Sequence, residues 1–152
     1  MTTTISDPGA EAWARILSVQ ATLVERIEGE LAAAGLPSLI WYDALWELEK
    51  ADDGRLRMHE LARSVVLSRS NVTRLLDRLV QAGLVAREQC ADDRRGAFAA
   101  ITAKGREMRK QMWTVYRAQI RELFSAHLSA TEARMVKLAL DKVLAAARAG
   151  ET

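Results

Sequence analysis

The chain has 152 residues, 49% hydrophobic and 28% charged, which suits one soluble globular domain or two small lobes sharing a core. No apolar run is long enough to span a bilayer, Met1 to Gly9 lacks a signal-peptide core, and the single Cys90 excludes an intrachain disulfide, so a cytoplasmic protein is expected. The net charge of +2 conceals a division: 3 Lys/Arg against 10 Asp/Glu over residues 1–54, 13 against 6 over 55–110, and 6 against 4 over 111–152. A basic block inside an otherwise acidic chain marks either a local polyanion site or an Arg-rich solvated face.

Asp7-Pro8 reads as a helix start, with Asp as N-cap and Pro at the first helical position. Trp13, Ile16, Leu17, Leu23, Val24, Ile27 and Leu31 then recur at helical spacing until Gly35-Leu36-Pro37 stops the helix. Ser38 is the expected cap of the next helix, which carries Leu39, Tyr42, Leu45 and Leu48 and ends at the turn Asp52-Asp53-Gly54. A short helix is expected from Met58 to about Ser64. Val65-Val66-Leu67 reads as a buried tight turn, and Ser68 caps a helix running to about Ala82, closed by Gly83. Two helices joined by so short a turn form a helix-turn-helix pattern.

Residues 84–89 and 97–101 flank a polar stretch, Asp92 to Gly96, and are expected to pair as a two-stranded hairpin with a charged tip. Thr102 caps a long helix expected to reach about Ala126, with Met108, Met112, Val115 and Leu123 on one stripe. Ser129-Ala130-Thr131-Glu132 is a capping box opening a last helix, with Val136, Leu140, Val143 and Leu144 on its apolar face.

The helix over 68–82 carries the functional argument. At 100° per residue, Val72, Leu75, Leu76 and Leu79 share a narrow arc that faces a core. Ser70, Thr73, Arg74, Asp77, Arg78 and Gln81 lie opposite, and Ser68, Arg69, Ser70 and Asn71 form the first turn. A recognition helix brings its N-terminal residues to base edges in the major groove. Arg74 has the fork for guanine O6 and N7, and Asn71 can pair with adenine. The first-turn N–H groups can bind phosphate. On a lone helix, a polar surface face is the plainer reading; the preceding tight turn and the following basic hairpin favour DNA. Arg94 and Arg95 at the hairpin tip suit a narrow minor groove, with Asp93 placed to aim Arg95. A charged turn that only keeps the hairpin soluble is the alternative.

The runs Glu60-Leu61-Ala62, Leu67 to Leu79 (LSRSNVTRLLDRL) and Gly83-Leu84-Val85-Ala86-Arg87 resemble the core of the MarR family. Asp93-Arg94-Arg95 followed by Ile101-Thr102-Ala103-Lys104-Gly105 resembles its wing and the start of its long dimer helix, and Cys90 to Arg95 is similar to the wing of SlyA-like members. The match covers residues 58–105. It implies a mainly α fold with a small β-hairpin wing: a helical dimerisation lobe from 1–37 and 102–152, and a winged helix-turn-helix lobe from 38–101. It implies a homodimer on a pseudo-palindromic operator in double-stranded DNA, with Ser68, Ser70, Thr73 and Arg74 in the major groove and Asp93 and Arg95 of wing 90–96 in the minor groove. Asn71 and Arg94 join them. Family members often bind a small aromatic or anionic effector that weakens DNA binding. Ala91 stands where many members have a wing-tip proline, and no cysteine lies near the N-terminus, which argues against the peroxide-sensing branch.

Other features carry less. Cys90, beside Arg87, Arg94 and Arg95, has a setting that favours thiolate, but packing is the ordinary role of a strand cysteine. His59 and His127 have no metal-ligand spacing, so no metal or cofactor is expected. Trp13, Trp41, Tyr42 and Trp46 are the ligand-pocket candidates, although aromatics at helical spacing more often form core or dimer interface. No nucleophile–base constellation and no Gly-rich phosphate loop appears, so an enzyme is not expected. The reading is a homodimeric transcription regulator of the repressor type; a winged-helix protein–protein adaptor that does not bind DNA is the alternative.

Overall fold

The computed structural model describes residues 7–65, 69–89 and 97–150, with the backbone alone for Arg69 and Ser70. The chain forms two compact units that divide between Tyr116 and Arg117. The expected mainly α architecture with a small sheet is what forms.

In the first unit, α1 spans Pro8–Ala33. The Asp7 carboxylate accepts the N–H groups of Gly9 (2.9 Å) and Ala10 (3.3 Å), satisfying donors that the helix leaves unpaired. The helix closes at Gly35, whose φ of 70° costs glycine nothing. There the Gly35 and Leu36 N–H groups reach back to the Ala32 and Leu31 carbonyls at 3.0 and 2.9 Å. Ile27 and Leu31 are buried, whereas Trp13, Ile16 and Leu17 of the first half are exposed.

Helix α2 spans Leu39–Lys50. Ser38, the expected cap, makes no side-chain cap bond. Glu28 of α1 takes that role: its carboxylate accepts the Leu39 N–H at 2.7 Å and the Ser38 hydroxyl at 3.1 Å. A full negative charge at a helix N-terminus outcompetes a neutral hydroxyl.

A 3₁₀ turn at Asp52–Gly54 leads into a strand that the sequence reading missed, β1, Arg55–Arg57. The wing is therefore part of a three-stranded antiparallel sheet rather than a two-stranded hairpin. β3 (Ala97–Ile101) lies in the middle, between β1 and β2 (Val85–Gln89). Arg57 is paired with Phe98, and Phe98 with Glu88. On the outward face the guanidiniums of Arg55 and Arg57 lie 4.8 and 4.9 Å from the Phe98 ring centre, which shields an otherwise exposed aromatic.

Helices α3 (Met58–Ser64) and α4 (Arg69–Gln81) complete the lobe. The core joins Ala44, Leu45 and Leu48 of α2 to Leu61, Val65, Val72, Leu76, Leu79, Leu84, Val85 and Ala99. Each α4 residue assigned to the apolar arc is buried: Val72, Leu75, Leu76 and Leu79. Gly83, at φ 75°, ends α4 as Gly35 ends α1, with Gly83 and Leu84 N–H groups bonded to Val80 and Leu79 carbonyls at 3.0 Å each.

Helix α5, Ala103–Leu123, starts against that turn. The Thr102 hydroxyl accepts the Gly105 N–H at 3.0 Å and donates to the Gly83 carbonyl at 2.7 Å. The Thr102 N–H reaches the Leu84 carbonyl at 3.0 Å, and the Lys104 ammonium reaches the Ala82 carbonyl at 3.0 Å. Three carbonyls at the end of α4 are thus satisfied by the start of α5, one by a cation placed where the helix dipole favours it. Gly105 lets the backbones meet: a Cβ there would overlap the Leu84 carbonyl oxygen and lie 2.9 Å from Ile101 Cγ1.

The second unit holds the end of α5, a 3₁₀ turn at Ser125–His127 and α6, Ala130–Ala149. The long helix stops at Leu123 instead of about Ala126, because Phe124 leaves helical geometry at φ −123°. The capping box is formed: the Ser129 hydroxyl accepts the Glu132 N–H at 3.1 Å, and the Glu132 carboxylate accepts the Ser129 N–H at 2.8 Å. Hydrogen bonding from Ser129 to this carboxylate, the backbone N–H first, lowers the Glu132 carboxyl from its ordinary value. Met135, Leu138, Val143 and Leu144 of α6 are each at least half exposed. No helix among the described residues is long and apolar enough to cross a membrane.

Candidate nucleic-acid interface

Burying one arc of α4 dictates what the other presents. Asn71, Thr73, Arg74, Asp77, Arg78 and Gln81 are all exposed on one face. Arg74 and Arg78, one turn apart, make no ion pair among the described residues. Asp77 is held by the Arg87 guanidinium from β2, a pairing the sequence reading did not identify. The backbone places Arg69 and Ser70 in the first turn of α4. Ser68, Cys90, Asp93, Arg94 and Arg95, with the rest of the 90–96 tip, lie outside the described residues. The strands β2 and β3 on either side of this segment are described, and their Val85 and Ala99 join the core that α4 covers.

The four aromatic candidates are separated. Tyr42 is buried in a cluster with Trp113, stacked at 5.9 Å, and Tyr116, edge-on at 5.1 Å. Trp41 packs against the winged core, and Trp13 is 60% exposed on α1. Trp46 is partly exposed beneath two cations, Arg109 at 5.1 Å and Lys50 at 5.5 Å from its ring centre. Arg109 is also ion-paired with Glu49. A depression of about 500 Å³ is lined by Lys50, Asp52, Arg55, Glu60 and Phe98 and by none of these four aromatics. No cluster of three or more potential metal ligands occurs among the described residues.

Burial pushes both tyrosine phenols up from their ordinary range. At Tyr42 the Arg109 guanidinium draws the value partly back, while at Tyr116 the Asp43 carboxylate adds to the rise. A raised phenol favours the protonated form in the folded chain. Its stabilising contribution is complete below the unfolded value of about 10 and is lost as pH rises through the higher folded value. These are the only 2 tyrosines in the chain, so tyrosinate absorbance reports on them alone. The expected titration midpoint lies above 10 in native protein and returns to about 10 in guanidinium. Coincident midpoints would show that the aromatic cluster is open to solvent.

The profile of the MarR family matches residues 34–96, from the end of α1 to the wing. Over the whole chain, the crystal structure of AbsC, a MarR family transcriptional regulator from Streptomyces coelicolor, superposes with a TM-score of 0.83 at 30% identity, covering 97% of this chain and 99% of AbsC. The chain belongs to the MarR family of transcriptional regulators. A second MarR family regulator from that organism, Sco3205, solved in complex with DNA, is 26% identical with a TM-score of 0.81, over 92% of this chain and 88% of Sco3205. The transcriptional repressor MprA of Escherichia coli K12 is 29% identical over 128 residues, 84% of this chain and 72% of MprA. The winged-helix elements described above are thus those of a MarR family regulator.

Proposed function

We propose that this MarR family chain is a homodimeric, sequence-specific DNA-binding repressor that acts in the cytoplasm, with α4 in the major groove and the wing tip 90–96 in the minor groove. The observation that carries the reading is the exposed face of α4, where Arg74 and Arg78 stand without a carboxylate partner among the described residues, on a helix locked into the core from behind. Arg74 with Ser68, Ser70, Asn71 and Thr73 then reads bases. Arg69, Arg78, Arg94 and Arg95, with Asp93 aiming Arg95, supply phosphate and groove contacts. The DNA complex of Sco3205 and the repressor role named for MprA support this direction.

The dimer reading rests on unpartnered apolar surface. Trp13, Ile16 and Leu17 on α1 and Leu138, Val143 and Leu144 on α6 are exposed, which a soluble monomer seldom tolerates on two helices at once. Residues 1–37 and 102–152 serve dimerisation in this scheme, and 38–101 bind DNA. A small aromatic or anionic effector releases DNA by favouring a half-site spacing that mismatches the operator. Trp46, flanked by Arg109 and Lys50, offers a suitable aromatic and cationic contact, with Trp41, Tyr42 and Trp13 as further candidates.

Fluorescence anisotropy with the upstream intergenic duplex and a scrambled duplex tests the proposal. Wild type is expected to prefer the native duplex, saturate at two chains per duplex, and weaken with salt at a log–log slope of about −7 if about 8 phosphates are neutralised. Arg74→Ala is expected to lose the preference, a change of about 5- to 150-fold for one bidentate base contact. Equal weak binding to both duplexes, unchanged by Arg74→Ala, would sink the proposal and leave the adaptor reading.

A further inference from the structure

A carboxylate on a helix that faces DNA has two adverse effects: it repels phosphate, and it can capture an arginine meant for a base. Helix α4 carries one acid, Asp77. It stands three residues after Arg74 and immediately before Arg78, so helical spacing puts it within reach of the Arg74 guanidinium. In the structure Asp77 has a different partner, the Arg87 guanidinium, which binds Asp77 Oδ1. Arg74 is left without an ion pair among the described residues.

The strand geometry explains why Arg87 is the residue that arrives. Side chains alternate along β2, so Arg87 projects on the same side as Val85. Val85 is buried in the core that α4 covers, and the cross-strand neighbour of Arg87 is the small, buried Ala99. Two residues further out, Arg87 clears the core and meets the edge of α4 at Asp77. Stability does not account for the pair. Both side chains are about half exposed, 43% and 51%, and a solvated pair contributes little to folding.

We infer that Arg87 is a positioning residue of the recognition helix: by holding Asp77 it keeps Arg74 available for a base edge and cancels the one negative charge on the DNA-facing side of α4. The inference rests on the reading that α4 enters the major groove. Arg87 acts through Asp77 and Arg74, not by its own contact with DNA.

Four proteins decide it: wild type, Arg87→Gln, Asp77→Asn and the double variant, titrated on the native and scrambled duplexes at two salt concentrations, with melting temperature measured for each. Arg87→Gln is expected to lose about fivefold or more in affinity for the native duplex together with its preference, as when a base contact is lost. Asp77→Asn is expected to keep both. The double variant is expected to recover to within about twofold of wild type, because the liberated carboxylate is gone. Melting temperatures are expected to agree within about 2 °C, as for surface substitutions. A double variant as weak as Arg87→Gln, with a salt slope shallower by about 1, would show that Arg87 contacts phosphate directly and would overturn the inference. A defect in Asp77→Asn alone would overturn it too. Absence of any preference in wild type would instead remove the major-groove reading on which it rests.

Discussion

Replacing Gly105 by alanine is expected to lower the melting temperature by about 6–12 °C, the effect of about 3 kcal/mol of overpacking in a chain of this size. Helix propensity argues for the opposite sign. Gly105 lies in the first turn of α5, where alanine would normally stabilise by about 1 kcal/mol. The local geometry decides against propensity. The new methyl would overlap the Leu84 carbonyl oxygen, a backbone atom that already accepts the Thr102 N–H at 3.0 Å. Relief would require moving the α4–β2 turn away from α5, which breaks the bonds from Thr102 and Lys104 as well. Calorimetry or thermal circular dichroism checks the sign. A rise in melting temperature would mean that α5 and the turn are further apart than the structure has them.

Leu76→Ala is expected to destabilise by about 2–5 kcal/mol, through lost transfer energy and the cavity left behind. Leu76 is 0% exposed at the centre of the core beneath α4, among residues of α2, α3 and β2 that cannot all collapse inward together. Denaturant unfolding measures the loss. The comparison with Arg74→Ala is informative because the two side chains lie on opposite faces of one helix. Arg74→Ala should leave the unfolding midpoint unchanged, within about 0.5 kcal/mol, since its side chain is exposed. Leu76→Ala should lower the midpoint while binding DNA normally wherever the chain remains folded. If both substitutions lowered stability alike, the separation of α4 into a packing face and a reading face would be wrong.

The division of α4 into a buried and an exposed face was legible in the sequence because it depends on helical period alone. Val72, Leu75, Leu76 and Leu79 have no other common arc, and they are buried. The caps were legible for a similar reason. Asp7 before Pro8, the Ser129–Glu132 box and the glycines at 35 and 83 each act within five residues of their own position. What escaped depended on residues distant in the chain. Glu28 displaced Ser38 as the cap of α2 from ten residues upstream. The strand β1 is only three residues, too short for alternation to register, and its partner β3 lies some forty residues later. Its one local signal is the left-handed pair Asp53-Gly54, which reverses the chain after α2. The Asp77–Arg87 pair could have been anticipated from the turn at Gly83. Six helical residues before it span about 9 Å and four strand residues after it about 13 Å, so the two side chains return to comparable depth. Which aromatic would meet which was not legible. Tyr42 and Trp113 are seventy-one positions apart, and nothing local distinguishes Tyr42 from Trp41.

The joint at Ala82, Gly83 and Leu84 makes α4 a lever with its pivot at one end. Thr102, Lys104 and Gly105 clasp its C-terminus, while its first turn, the end that would meet bases, lies thirteen residues away, about 20 Å along the axis. A tilt of about 5° at the start of α5 would therefore swing that first turn by about 1.7 Å, more than half the length of a hydrogen bond. Small angular changes in α5 are thus amplified where they would matter most for reading a base.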